Sequence, residues 1–150
     1  MKEKYDVPIA PESEFVSYMM EQMSQFGLPC TEEQAKDFYM YYARMIETNK
    51  YLNLTGITDM KEVVVKHMID SLSCYDPNII KSGMSIIDVG TGAGFPGIPL
   101  AIYDRSFKVI LFDSLKKRLT FLESVIDELK LTNCTTLHGR AAVSYTHLRA

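Results

Sequence analysis

Two carboxylates and a run of glycines carry the clearest chemistry in this chain. In IIDVGTGAGFPGIPL, residues 86–100, an apolar run ends in Asp88, and glycines follow at 90, 92 and 94. Glycine accepts positive φ and lets backbone amides approach a ligand closely. A second apolar run, KVILFD, ends in Asp113, 25 residues after Asp88. Open parallel sheets place a carboxylate about 20 residues past such glycines, where it accepts hydrogen bonds from ribose hydroxyls. The pair therefore points to a cofactor that contains a nucleoside.

The cofactor class stays divided at this level. Gly92-Ala93-Gly94-Phe95-Pro96-Gly97 satisfies GxGxxG, which suits a nicotinamide-dependent reductase. Asp88, two residues before the first glycine, would repel a pyrophosphate but suits the amino group and sulfonium of S-adenosyl-L-methionine. The balance favours the methyl donor.

Other reactive residues are open to two readings each. His67 has Asp70 and Ser71 at i+3 and i+4, the spacing of one helical face, which fits an acid–base pair or a structural hydrogen-bonded cluster. Lys116, Lys117 and Arg118 open a helix and fit phosphate contact or a solvated face. Cys30, Cys74 and Cys134 are scattered and odd in number, with no CxxC, so no metal site is expected and buried structural thiols are.

The elements that must position these groups follow from periodicity. Phe15, Met19, Met23 and Phe26 recur at helical spacing up to Gly27. Thr31 and Gln34 form a capping box ahead of an apolar face of Ala35, Phe38, Tyr39, Tyr42, Met45 and Ile46. Asp59 and Glu62 repeat that signature before Val63, Val64, His67, Met68 and Leu72. From Met84 the texture changes: SIIDVG, KVILFD and TTLHG read as strands, the first two buried on both faces. Between them come a helix around 97–103 and a second one, capped by Ser114, with Leu115, Leu119, Leu122, Val125, Ile126 and Leu129 on its face. Alternating strands and helices predict an α/β fold with a parallel, doubly wound sheet and right-handed crossovers. The division expected is a helical extension over 1–83 and the first half of a cofactor domain over 84–142.

With 150 residues and a net charge of −3, the composition does not advertise a polyanion ligand, so nucleic acid would have to be met by a local patch. Lysines near the start precede no apolar core of a secretory signal, and no run approaches a membrane span. A soluble cytoplasmic protein is expected.

NLTGITD (53–59), KHMIDSL (66–72), IIDVGTGAGFPGIPL, LFDSLKKRLTFL (111–122) and HGRA (138–141) occur in this order. Together they resemble the bacterial small-subunit (16S) ribosomal RNA guanine-N7 methyltransferase family, RsmG or GidB. The resemblance covers about residue 15 to Ala141. It implies a class I methyltransferase (Rossmann-like) fold with an N-terminal helical extension, S-adenosyl-L-methionine as donor, and a guanine of small ribosomal subunit RNA as acceptor. By position it implies that Gly90 and Phe95 contact the cofactor, that Asp113 binds the ribose, and that the backbone of Ala141 and Ala142 holds the adenine. Asn53, His67, Asp70, Ser71 and Arg140 fall on further motif positions near the cofactor or RNA pocket. Alanine at 142 departs from the family's usual acid, and VSYTHLRA (143–150) resembles nothing in the family. That tail is expected to be non-native and the chain an inactive fragment or a cofactor-binding pseudoenzyme.

Overall fold

A computed structural model of the chain describes residues 6–76 and 78–140. Ala141, Ala142 and the 143–150 tail lie outside the described residues.

Three helices form the N-terminal part. Helix α1, Glu12–Phe26, stops at Gly27, whose left-handed φ of 89° lets its N–H reach the carbonyls of Met23 and Ser24. Phe15, Met19 and Met23 are buried as the periodicity predicts, whereas Phe26, in the last turn, is exposed. Helix α2, Glu32–Thr48, opens with the complete Thr31–Gln34 capping box. Its core face holds Tyr41 in addition to the expected residues. Tyr39 sits at the margin and donates its hydroxyl to the Ala10 carbonyl at 2.8 Å. Phe15 and Tyr42 stack at 5.0 Å, joining the two helices. Burial of each of these large side chains contributes about 1.5–3 kcal/mol.

The third helix, α3, begins at Met60–Glu62 with the Asp59 side chain accepting from the Glu62 N–H. It then widens into a π-helix over Val63–Ile69 before Asp70–Leu72 resume α geometry. Sequence spacing predicts an ordinary α-helix here. Its Val63-Val64-Val65 run is β-branched and stiff at χ1, which crowds an α turn. Wider turns of this kind recur at functional sites.

The sheet has three parallel strands, β1 (Ser85–Val89), β2 (Lys108–Asp113) and β3 (Cys134–His138), in the order β1-β2-β3. Helices α4 (Gly97–Tyr103) and α5 (Lys116–Leu129) make the crossovers. Because the order advances in one direction with right-handed connections, both helices fall on one face of the sheet. Helix α2 packs across α4 and α5, so the helical part forms a further layer on that side. Val109, Leu111, Leu119, Leu122 and Ile98 are buried between the layers.

The expectation of burial on both faces fails at the end of β1, where Val89 is 50% exposed, but Phe112 of β2, its partner on the same face, is buried. Leu137 of β3 on that face is 49% exposed, so the face is partly open among the described residues. No described helix is long and apolar enough to cross a membrane.

Strand β1 is an edge among the described residues. The Met84 carbonyl and the Gly90 N–H bond to β2, so by alternation the N–H groups of residues 85, 87 and 89 point away from it. An apolar strand with an unpaired edge is a template for pairing. The 150-residue polypeptide is therefore expected to associate as its concentration rises, measured by sedimentation velocity. Ser85→Pro, at a strand start whose N–H faces outward, should reduce that association without unfolding the sheet. Unchanged association in this variant would show that the β1 edge is not the contact.

Candidate functional site

The glycine stretch turns directly off the carboxyl end of β1. Gly90 and Thr91 donate their N–H groups to the Phe112 carbonyl at 2.8 and 3.1 Å, which pins the start of the turn to β2. Gly90 has φ 70°, and a Cβ added there meets nothing within 4 Å. The backbone is thus bare toward an open crevice. Gly94, at φ 108°, is constrained from the other side: a Cβ there would lie 2.7 Å from the Tyr41 hydroxyl. One glycine of the turn leaves space in front, and another permits close packing behind.

Asp113 organises the crevice from below. Its Oδ2 accepts from Gly92 N–H at 2.9 Å and its Oδ1 from Leu115 N–H at 2.8 Å, while Arg118 Nη1 lies 3.6 Å from Oδ1. One buried carboxylate therefore fixes the glycine turn and the entry to α5. Ser114, the expected cap of that helix, does not cap it; Leu115 occupies the N-cap position without a side-chain bond, and Asp113 takes the Leu115 donor instead. The Gly139 N–H bonds to the Asp113 carbonyl at 3.2 Å, bringing the end of β3 to the same place. Val89, Gly90, Phe112, Asp113, Ser114 and Arg118, with Gly139, line a crevice of about 330 Å³. It lies at the carboxyl ends of the strands, where open α/β sheets bind ligands.

Asp88 lies on the inner side of the turn. Its Oδ2 accepts from the Thr91 hydroxyl at 2.7 Å and from Gly97 N–H at 3.0 Å, tying the turn to the start of α4. Burial pushes its carboxyl above the usual range, against the pull of those two hydrogen bonds. Burial, aided by the Asp88 charge, also pushes the Cys134 thiol up to about 12, so that thiol is unreactive at neutral pH. Cys134 is buried as expected, but Cys74 is exposed.

A second group of side chains closes on the turn from the helical part. Tyr41 donates its hydroxyl to the Ala93 carbonyl at 2.5 Å. Phe95 lies against Tyr41, with ring centroids 5.5 Å apart, and stacks on His67 at 4.3 Å and 13°. His67 Nε2 lies 2.8 Å from Thr55 Oγ1. The Asn49 amide then holds that segment: Oδ1 accepts from the N–H groups of Leu54 and Thr55, and Nδ2 donates to the Thr55 carbonyl.

The structure thus brings Asp88, Gly90, Gly92, Gly94, Phe95, Asp113 and His67 to one region. Asn53 and Asp70 are exposed, on the 49–57 loop and on α3. Ser71 turns its hydroxyl back to the His67 carbonyl. The imidazole therefore bonds Thr55, not Asp70 or Ser71. Arg140 is exposed just past β3. Lys116 and Lys117 are exposed, whereas Arg118 is half-buried over Asp113. Tyr41 and Asn49 escape the sequence reading, although 38, 41 and 45 follow i, i+3, i+7 spacing, which places Tyr41 inward. The loop-clamping role of Asn49 leaves no such periodic mark. Among the described residues no group of three His, Cys, Asp or Glu side chains could hold a metal ion.

Burial holds His67 below its ordinary value of 6.5, with the Asp70 charge opposing that effect. The unfolded chain then binds the proton more readily than the folded one. Stability contributed by neutral His67 is present above 6.5 and is lost as pH falls through the lower folded value. Asp88, shifted upward by burial, acts in the opposite sense. Thermal melts between neutral and mildly acidic pH should therefore fall more steeply for the native chain than for His67→Phe, which keeps a ring over Phe95 and cannot titrate. Parallel slopes would mean that His67 does not titrate differently on folding.

Comparison with known proteins places this geometry in a family. The family model described as rRNA small subunit methyltransferase G, GidB, matches residues 34–148. A Ribosomal RNA small subunit methyltransferase G from Lachnoclostridium phytofermentans is 45% identical over 125 residues, covering 83% of this chain and 52% of that protein. One from Desulforamulus reducens is 50% identical over 111 residues, covering 74% and 46%. The chain spans about half the length of the curated relatives it matches. With the family model matched over residues 34–148 and relatives at this level of identity, the chain belongs to the rRNA small subunit methyltransferase G family.

Proposed function

We propose that this chain carries the S-adenosyl-L-methionine half of an enzyme that methylates guanine N7 in small-subunit ribosomal RNA. The observation that carries this reading is the bare Gly90 backbone facing the crevice above Asp113, in a member of this family. Each Asp113 oxygen already accepts one backbone N–H, but an ionised carboxylate has about four acceptor sites, so ribose hydroxyls still fit. Gly90, Gly92 and Gly94 give the donor its backbone wall and Phe95 its apolar side. Asp88 serves the site through the turn it braces, since its Oδ2 is engaged by Thr91 and Gly97. Ala141 and Ala142 remain assigned to the adenine by resemblance. Asn53, Asp70, Ser71 and Arg140 are assigned by resemblance to the surroundings of the cofactor or RNA pocket.

When bound, the donor supplies an electrophilic sulfonium methyl. Guanine N7 presents an exposed lone pair and needs no deprotonation. The chain's task is then to position the two partners and exclude water, and a nucleophile–base pair is not required. Such a substrate places the protein with ribosomal subunits in the cytoplasm.

Gly90→Val tests the donor site. A β-branched residue at positive φ costs about 1–2 kcal/mol and fills the open space above the backbone. Binding of S-adenosylhomocysteine by calorimetry should be lost while the helical signal in circular dichroism is retained; unchanged affinity would remove Gly90 from the site. Asp113→Ala should weaken binding by roughly 1.5–3 kcal/mol, and Asp113→Asn by less, because the amide keeps one acceptor.

The acceptor is tested with small ribosomal subunits lacking the modification. Methyl transfer to guanine N7 is expected from the chain extended by a family C-terminal half, and not from the 150-residue polypeptide alone. Equal transfer by both would show that the described half-sheet suffices.

A further inference from the structure

We infer that Asn49, Thr55 and His67 form a positioning relay that sets the glycine turn by holding Phe95. The inference adds a role to the donor site just proposed and rests on that reading only for its ligand measurement. Three links carry it. Asn49 is 4% exposed, and its amide makes three hydrogen bonds of 2.8–3.1 Å to the backbone of residues 54 and 55. A buried amide satisfied in this way fixes the loop around Thr55. Thr55 Oγ1 then accepts from Ile57 N–H at 3.0 Å and meets His67 Nε2 at 2.8 Å. Finally, the imidazole lies flat on Phe95 at 4.3 Å, and Phe95 is itself part of the turn through its N–H to the Thr91 carbonyl.

The geometry suits positioning better than proton transfer. Nε2 is engaged by Thr55, the ring face is covered by Phe95, and Asp70 makes no hydrogen bond to the ring among the described residues. The π-helical register over Val63–Ile69 carries His67 within that widened turn. A separate brace, Tyr41 to the Ala93 carbonyl, holds the other side of Phe95's neighbourhood. The turn is therefore fixed by β2 through Phe112 and Asp113, and by the helical part through Tyr41 and His67.

Native-state hydrogen exchange of the 150-residue chain, followed by mass spectrometry, tests the relay without ligand. His67→Ala and Thr55→Val are each expected to speed exchange of residues 90–97 by about tenfold, the equivalent of one lost hydrogen bond or stacking contact. Peptides from α1 and β2 should remain as protected as in the native chain. His67→Phe keeps the stacked ring but loses the Thr55 hydrogen bond, so its exchange at the turn should match that of Thr55→Val. Asn49→Ala should add little once His67 is already alanine, since both act through one chain of contacts. If His67→Ala leaves residues 90–97 unchanged, or if the Asn49 and His67 effects simply add, the relay is wrong. Should His67→Ala unfold the chain, Thr55→Val and His67→Phe decide the matter by the same readout.

Titration with S-adenosylhomocysteine then separates the two ideas. Affinity is expected to fall in the same rank order as turn protection. If the native chain binds no S-adenosylhomocysteine while exchange follows the expected pattern, the donor-site reading fails and the relay stands. If the native chain binds but affinity and exchange ignore Thr55 and His67, the relay fails and the donor site stands.

Discussion

The Asp113 carboxylate is the constraint on which the rest of the site depends. It ends β2 with its side chain 3% exposed, and it reaches backbone N–H groups in two separate elements, the glycine turn and the entry to α5. A carboxylate taken from water is costly unless its lone pairs are met. The polypeptide meets them with donors that would otherwise be unpaired where a strand gives way to a turn or a helix. Solvation of one charge and definition of two loops are thus the same set of hydrogen bonds. Arg118 adds a guanidinium over the same group, so local charge is balanced within the crevice.

Asp88 repeats the principle on the other side of the turn. Its Oδ2 joins Thr91 and Gly97, which links β1 to α4. Together the two acids clamp the turn over residues 90–96, whose glycines could otherwise sample many conformations. Rigidity here comes from buried carboxyl groups whose oxygens are met by backbone and hydroxyl donors, and glycine supplies only the permission to bend. The upward shift of Asp88 records what that arrangement costs.

The N-terminal helices have a role beyond covering apolar surface. Their core, from Phe15 through Tyr42 and Met45, packs them into one body, and helix α2 carries Tyr41 onto α4 and the Ala93 carbonyl. Helix α3 carries His67 to Phe95. The N-terminal helices and the three-stranded sheet therefore share a boundary made at the glycine turn. A change of packing among the helices would be felt there first, because close-packed interiors transmit displacement with little compliance.

The sequence by itself determined the elements and the chemistry of the turn. Helical and strand periods, the Thr31–Gln34 box and the Gly27 stop are local patterns that rest on interactions within a few residues of the chain, and the spacing of Asp88, the glycines and Asp113 is a motif of one strand–turn–helix–strand unit. The same locality explains the family resemblance, which is carried by short runs in fixed order. What the tertiary structure decided depends on partners far apart in sequence. Tyr41 replaced Tyr39 in the core because α4 and the turn lie against that side of α2. His67 faces Thr55, twelve residues away, instead of the neighbouring Asp70 and Ser71. One face of the sheet stayed partly open because both crossovers fall on the other. None of these choices has a local energetic signature strong enough to read from the chain, since each is settled by which surfaces meet.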